Sequence, residues 1–521
     1  MQPLCLPNRT RWLVDIIALL VIATAIHGWL IAHTDLPAAD GMGYITYAWR
    51  LRHEPWRDVL PVSAHHPGYP ALVAAWSVPI CHLLGGATCQ NMVLSAQLAN
   101  AVPACLLVLP MFWLGQRLFD RRVAWWGTAL FQFLPAFARA SSDALSEGPF
   151  LFAVALALCC AVRGLERRSV LSFALAGFCG GLAYLVRPEG AICVAAAGLL
   201  LIALQTAAAY RWQLRRALAA EAALTLTAVS IALPYMATIG GLTLKPTANA
   251  VMQFSLGSGT HFQGLIACTF ASWWNPAHEA GIRSMGGVAM EFLRAGHVVS
   301  VIFLPLGLWW YRDPSRRRPE MLLPLLVAGM QALLVLAVAV RLGYAAQRHM
   351  LVILMCTVFW AVAAMTESAR MLALRFAFGP GHAVRWGTAL VLFACLICLP
   401  KTCQRLHSER LGHRAAGRWL ADHAGPADLI VDPCSWTAFY AGRLLRDAAP
   451  PDSAAGRRAV YVVHDCSKGL HGQVDDVEKV ANELLPRGTL VYDWCPPRGS
   501  HPRASEVQVY LVAPTAVAAL H

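Results

Sequence analysis

The chain reads as an α-helical polytopic membrane protein of about 11 transmembrane helices, N-terminus inside and C-terminus outside, carrying a small C-terminal soluble α/β domain. Three observations predict it. The 521 residues are 57% hydrophobic and 14% charged, whereas soluble domains carry about 25% charged residues. Apolar runs near the ~20 residues that cross a bilayer recur up to residue 400. Beyond residue 400 the runs become short and β-like. One water-soluble globule is excluded, and so is disorder, whose signature is low hydrophobicity. The net charge of +13 is no nucleic-acid footprint. Residues 1–400 hold 28 Arg and Lys against 16 Asp and Glu; residues 401–521 hold 14 against 13. The basic excess lies between apolar runs, where it sets topology.

The predicted spans are 12–33, 92–115, 123–140, 149–163, 170–187, 191–209, 217–236, 296–311, 320–340, 350–366 and 386–400. The first is too long for a removed signal peptide and lacks a small-residue cleavage site, so it reads as a retained anchor. Basic clusters at Arg9/Arg11, Arg117/Arg121/Arg122, Arg163/Arg167/Arg168, Arg211/Arg215/Arg216, Arg312/Arg316/Arg317/Arg318 and Arg370/Arg375/Arg385 then fall on one side, the cytoplasmic one. Tyr69–Leu84, with Pro70 and Pro79, would break that alternation as a twelfth span. It reads as an in-plane or re-entrant helix.

Three outward segments result: 34–91, 237–295 and the tail. They divide the chain into a membrane domain, 1–400, expected to hold the chemistry, and an external α/β domain, 401–521. Nine of the 16 acids before residue 400 lie outward. A transporter would place ionisable groups at mid-membrane instead. In the tail, a helix over Ser408–Ala424 precedes strands at Asp428–Asp432, Ala459–His464, Thr489–Asp493 and Val507–Val512, with a helix at Val474–Leu485. No glycine-rich phosphate loop is present, so no nucleotide site is expected. Most of the 16 cysteines sit in apolar spans as small hydrophobes. Cys434, Cys466 and Cys495 lie outside, where a disulfide of open connectivity is allowed. No HExxH sequence occurs, and a protein-built zinc site is not expected.

Candidate chemistry clusters in the outward turns. Asp40, Tyr44 and Ala48 are spaced four apart, along one helical face. Asp40 fits an N-cap or a general base. His65-His66-Pro67-Gly68-Tyr69-Pro70 is a stiff turn, either holding imidazoles at a fixed height or simply leading into the interfacial helix. Asp143 and Glu147 are one helical turn apart, able to face one point or to remain solvated. Arg187 and Glu189 fit a mutual pair, or Arg187 a phosphate grip through its guanidinium fork. Tyr344, Arg348 and His349 offer the same late in the chain, and Lys245 is a further candidate.

In their order, Asp40-x-x-x-Tyr44-x-x-x-Ala48, His66-Pro67-Gly68-Tyr69-Pro70, Ser146-Glu147-Gly148-Pro149, Arg187-Pro188-Glu189 and Tyr344/Arg348-His349 carry a likeness. Over residues 10–440 the chain resembles the GT-C glycosyltransferases that use polyprenyl-phosphate sugars. Within them it looks like the glycosyltransferase family 39-like bacterial relatives of protein O-mannosyltransferases and aminoarabinose transferases. The resemblance implies a catalytic role for Asp40, with Glu147 as second acid and Asp143 as its rival. It implies substrate-binding roles for Tyr44, His65, His66, Arg187, Glu189, Tyr344, Arg348 and His349. The lysine-proline-proline pattern of the aminoarabinose transferases is replaced by His66-Pro67-Gly68, and the lumenal β-trefoil repeats of the protein mannosyltransferases have no counterpart.

What the resemblance implies is an inverting hexosyl- or pentosyltransferase in the cell inner membrane, its tail periplasmic. The donor is a polyprenyl-phosphate sugar, the acceptor a glycan, lipid or protein, the setting a lipid bilayer. The sequence requires no cofactor; a divalent cation is compatible with the acids. A lipid-linked glycan flippase, or a membrane scaffold whose tail binds a partner, are the rival readings.

Overall fold

The structure, a computed structural model, describes residues 9–206, 212–245, 278–342, 345–376, 379–445, 459–466, 476–497 and 504–513. Over its described residues, each of the 11 apolar runs is helical. Eight helices are long and apolar enough to cross a membrane: Thr10–Ala32, Cys89–Leu118, Glu147–Arg167, Pro188–Thr206, Leu214–Ile239, Pro319–Arg341, Gln347–Arg375 and Gly381–Thr402. A ninth is reached if Ser284–His297 and Val301–Trp310, bent by 96°, form one broken span. The chain is a multi-pass membrane protein.

The two remaining runs show why a count from hydropathy exceeds a count from helix length. Residues 123–140 are split into Arg121–Phe133 and Pro135–Ser142, because Pro135 has no N–H to continue the ladder. Val170–Val186 is only 17 residues long. Its Leu171, Leu175, Phe178 and Leu182 are exposed on one stripe, while Phe173, Ala176 and Ala183 on the other are buried. An exposed apolar stripe at this spacing belongs against lipid rather than water.

Short polar caps start the helices between these spans. Thr88 Oγ1 accepts from Asn91 N, and Asp120 Oδ1 accepts from Val123 N at 2.9 Å. The bundle centre is filled by Phe131, Phe137, Phe359, Trp360 and Tyr69, all fully buried. The segment 34–91 is itself helical, with Ala39–His53 packed against Gly68–Leu83. Of the segment 237–295, residues 246–277 lie outside the described residues.

In the tail, a four-stranded sheet has the order β1-β2-β4-β3, with β1 (Leu429–Val431), β2 (Val460–Asp465), β3 (Gly488–Trp494) and β4 (Val507–Val512). β1 and β2 run parallel; the other pairs are antiparallel. The helices Leu411–His423 and Asp476–Leu484 accompany it. Backbone bonds tie the tail to the end of the first span: Leu406 N to His33 O at 3.2 Å, and Asp35 N to Leu406 O at 3.1 Å. Trp436 Nε1 donates to Pro37 O at 2.9 Å. None of the 14 described cysteines, Cys434, Cys466 and Cys495 included, is in a disulfide.

Candidate active site

A cavity of about 150 Å³ is lined by Asp40, Tyr44, His65, Glu147, Arg187, Glu189, Lys245, Arg348 and His349, with Gln331, Leu334, Val335 and Val338 closing one wall. The first nine are all candidates from the sequence, drawn to one place from six separate stretches of chain.

The helix Ala39–His53 brings Asp40 and Tyr44. Its N-cap is Ala38, and Asp40 makes no cap bond; its Oδ2 pairs with Arg348 Nη1 at 2.6 Å. Gly41 lets this helix press onto the next turn, since a Cβ there would lie 2.9 Å from Ala144 O. Tyr44 packs against His65 with ring centroids 4.3 Å apart and planes tilted by 37°, and its hydroxyl lies 3.3 Å from Ser146 Oγ.

Glu147 opens its helix, where the macrodipole favours an acid. Asn100 fixes the turn before it: Nδ2 donates to Ala140 O and Asp143 O, while Oδ1 accepts from Gly148 N at 2.6 Å. Glu147 Oε1 accepts from Arg187 Nη1 at 2.8 Å, and Arg187 Nη2 reaches Glu189 Oε1 at 3.4 Å. Lys245 Nζ completes the chain 3.3 Å from that same Glu189 oxygen. Glu147 Oε2, Glu189 Oε2, Arg187 Nε and Gln331 Oε1 are buried with no hydrogen-bond partner among the described residues. Buried polar atoms rarely stay unpaired, so these mark where a polar ligand or water would bond.

Two candidates are placed elsewhere. Asp143 does not line the cavity. Its Oδ1 accepts from Ala38 N at 3.0 Å and Ala144 N at 2.7 Å, and its Oδ2 meets His407 Nε2 at 2.7 Å. The four-residue spacing to Glu147 does not bring them together, because the helix begins only at Glu147 and Asp143 is extended. His66 is buried behind the wall. Its Nδ1 lies 2.8 Å from Tyr184 O, which can only accept, so that nitrogen carries the proton. Nε2 then accepts from Thr243 Oγ1 at 2.8 Å, steadying the segment that carries Lys245. Burial pushes the His66 imidazole down to about 4, which keeps it neutral. Tyr344 lies outside the described residues.

Electrostatics separates the acids. Burial alone would raise the Asp40 carboxyl, but Arg348, helped by His65 and Arg187, outweighs it and holds the group below its ordinary value. Burial also lowers His65 and, with Arg187 nearby, the Lys245 amine. Three cations thus face three carboxylates. Any anion entering the cavity must compete for a guanidinium already engaged. Sequence reading missed Gln331, Leu334, Val335 and Val338, which share one stripe of the helix Pro319–Leu342. It also missed His407. The signal for the first group was a lone glutamine inside an apolar span.

Residues 65–235 match the family model of dolichyl-phosphate-mannose-protein mannosyltransferases. ArnT of Cupriavidus metallidurans in the apo state is 13% identical, with a TM-score of 0.57 over 98% of this chain and 99% of that one. The same protein bound to undecaprenyl phosphate is also 13% identical and gives 0.55 over 96% and 98%. The Archaeoglobus fulgidus oligosaccharyltransferase in the apo form, 13% identical, gives 0.53 over 82% of this chain and 64% of its own. The chain thus spans under two thirds of the archaeal enzyme's length. No curated protein matches by sequence. The fold is that of the GT-C membrane glycosyltransferases, and the likeness read from the motifs is borne out.

Proposed function

We propose that the protein is an inverting glycosyltransferase of the cell inner membrane, moving a sugar from a polyprenyl-phosphate donor to an acceptor on the external, periplasmic face. Residues 1–400 form the catalytic unit and 401–521 the external domain. The observation that carries the reading is the single cavity in which Asp40, Arg348, Arg187 and Lys245 converge beside the unpaired oxygens of Glu147 and Glu189.

Asp40 takes the proton of the acceptor hydroxyl as its oxygen forms a bond to C1 of the sugar. The C1–O bond to phosphate breaks, and its electron pair leaves on the polyprenyl phosphate. The donor phosphodiester carries one negative charge and the released phosphate two, while Asp40 goes from charged to neutral. Charge therefore moves across the cavity without leaving it. Arg348, and Arg187 behind it, stabilise the oxyanion, and such electrostatic stabilisation usually contributes most to lowering the barrier of a transfer. Arg348 has one further duty: when it turns to the phosphate it releases Asp40, so the base is freed only with the donor in place. Glu147 and Glu189 hold Arg187 in position. A divalent cation beside their free oxygens is compatible with this scheme, and no step depends on one.

The donor chain fits an apolar cavity of about 490 Å³ between the helices Val170–Val186, Ala191–Thr206 and Leu214–Ile239. Tyr184, whose carbonyl holds His66, also lines it. The test is to incubate purified protein with radiolabelled polyprenyl-phosphate sugars and an extract of envelope acceptors. Release of polyprenyl phosphate with transfer of label supports the reading; no release across hexose and pentose donors overturns it.

A further inference from the structure

The tail sheet holds a second convergence of chemistry, away from the cavity. At the carboxyl end of β1 stand Asp432 and Cys434; at the carboxyl end of the parallel neighbour β2 stands Asp465. Open α/β sheets place their ligands at the carboxyl ends of strands. His413, on the helix Leu411–His423, reaches over these ends and is fully buried. One ligand atom each from His413, Asp432 and Cys434 lies within 4.8 Å of the other two, and all three residues are buried.

We propose that His413, Asp432 and Cys434 form a binding site for one zinc-class transition-metal ion that clamps the tail onto the loop preceding Asp40. The donor set is one imidazole nitrogen, one carboxylate oxygen and one thiolate sulfur. That mixture selects zinc over calcium or magnesium, which take oxygen alone. A tetrahedral centre with bonds of about 2.0–2.3 Å holds its ligand atoms roughly 3.3–3.8 Å apart. Side-chain shifts of about 1 Å close the site.

The surroundings are built for a cation. His413 Nε2 lies 3.1 Å from Asp465 Oδ2, which fixes the ring as carboxylates do behind zinc-bound histidines. Nδ1 is then the ligating atom, and it exchanges the Thr437 hydroxyl, which it accepts from at 3.0 Å, for the ion. Asp432, Asp465 and Glu478 place negative charge around Cys434, with Arg410 opposing them. Asp432 Oδ1 and Oδ2 accept from Cys434 N and Ala438 N at 3.0 and 2.9 Å, and the Thr437 backbone bonds the same carboxylate, which aims it and leaves one oxygen a lone pair for the ion. Binding displaces one proton, from the Cys434 thiol to solvent. The ligands are 19 and 2 residues apart in sequence, so no compact motif announces them. The chain's CxxC spacing, Cys395-x-x-Cys398, lies instead inside the apolar helix Pro380–Thr402.

The consequence runs through Trp436, two residues beyond Cys434. Its ring packs 5.3 Å from His413, and its Nε1 holds Pro37 O at 2.9 Å, three residues before Asp40. The site is therefore a clamp rather than a second reaction centre.

Full-length protein in detergent, stripped by a chelator, is titrated with Co²⁺. We expect saturation at one ion per chain, a cobalt–thiolate charge-transfer band, and displacement of that band by Zn²⁺, which binds such ligands more tightly. Cys434→Ser should abolish the band and Cys495→Ser should keep it. Zn²⁺ should also raise the melting temperature of the unmutated protein. No band in the unmutated protein, or a band that persists in Cys434→Ser, overturns the proposal. The titration of unmutated protein decides the matter even where a variant fails to fold.

Discussion

Arg348 Nη1 sits 2.6 Å from Asp40 Oδ2, joining the start of the first outward helix to the foot of a helix some 300 residues later. The pair is partly open, with the two side chains 29% and 42% exposed. It is worth no more than about 1 kcal/mol to folding. In the proposed reaction its importance is chemical, because each partner is the obstacle to the other's work until a phosphate separates them.

Asp40→Asn should therefore fold normally, since Ala38 and not Asp40 is the N-cap. Loss of general-base help costs about 10²–10⁴-fold in rate. The expected result is a melting temperature near the parent's, donor binding retained and turnover nearly abolished. Turnover within about threefold of the parent, far short of that loss, removes Asp40 from the role of base.

The two arginines should behave differently. Arg348→Gln should weaken donor binding by about 1.5–3 kcal/mol, the range for hydrogen bonds to charged groups, with Lys a partial substitute. Arg187 is also structural: its removal strands Glu147 and Glu189, whose side chains are 2% and 15% exposed. Breaking such a buried pair costs about 3–5 kcal/mol. Arg187→Gln should melt early, and adding Glu147→Gln should recover part of the loss. Additive losses in a double-mutant cycle would contradict this coupling.

The tail contact should depend on pH. Burial opposes protonation of His407, but Asp143 and then Glu409 overcome it and raise the ring to about 9. Free histidine titrates near ~6.5, so the folded state binds the proton more tightly. The contact's contribution, up to roughly 3 kcal/mol, is complete below about pH 6.5 and lost as pH rises through 9. Melting in detergent across that window should fall in the parent and stay flatter in His407→Gln. Parallel curves would refute the assignment.

Ala195→Trp should fill the apolar cavity from its exposed side. If the donor chain lies there, KM for donor rises while kcat holds, because the loss is of uniform binding. A normal KM would place the chain elsewhere.

Much of this site could be read from the chain, because membrane topology brings alternate turns between spans to one surface. Glu147, Arg187 and Arg348 each stand at a span's end, and adjacency there follows from alternation alone. What could not be read depended on where helices begin and on contacts across hundreds of residues. Asp143 and Glu147 look equivalent until the helix start is known. His407 is 264 residues from Asp143, and no local pattern links them. Gln331 lies within an apolar run, where hydropathy averages it away. The count of spans exceeded the helices long enough to cross because hydropathy is blind to the break before Pro135 and to the shortness of Val170–Val186.

The backbone bonds of Leu406 to His33 and Asp35, and that of Trp436 to Pro37, also set an order of events in synthesis. Every bundle helix leaves the ribosome before Trp436 does. Until that residue has emerged and docked, the segment leading into Asp40 lacks these anchors. A ribosome-bound chain holding all its membrane helices would thus be inserted yet unfinished, its carboxylate unfixed beside lipid-borne sugars. Catalytic competence would arrive with the last stretch of chain, after membrane integration is complete.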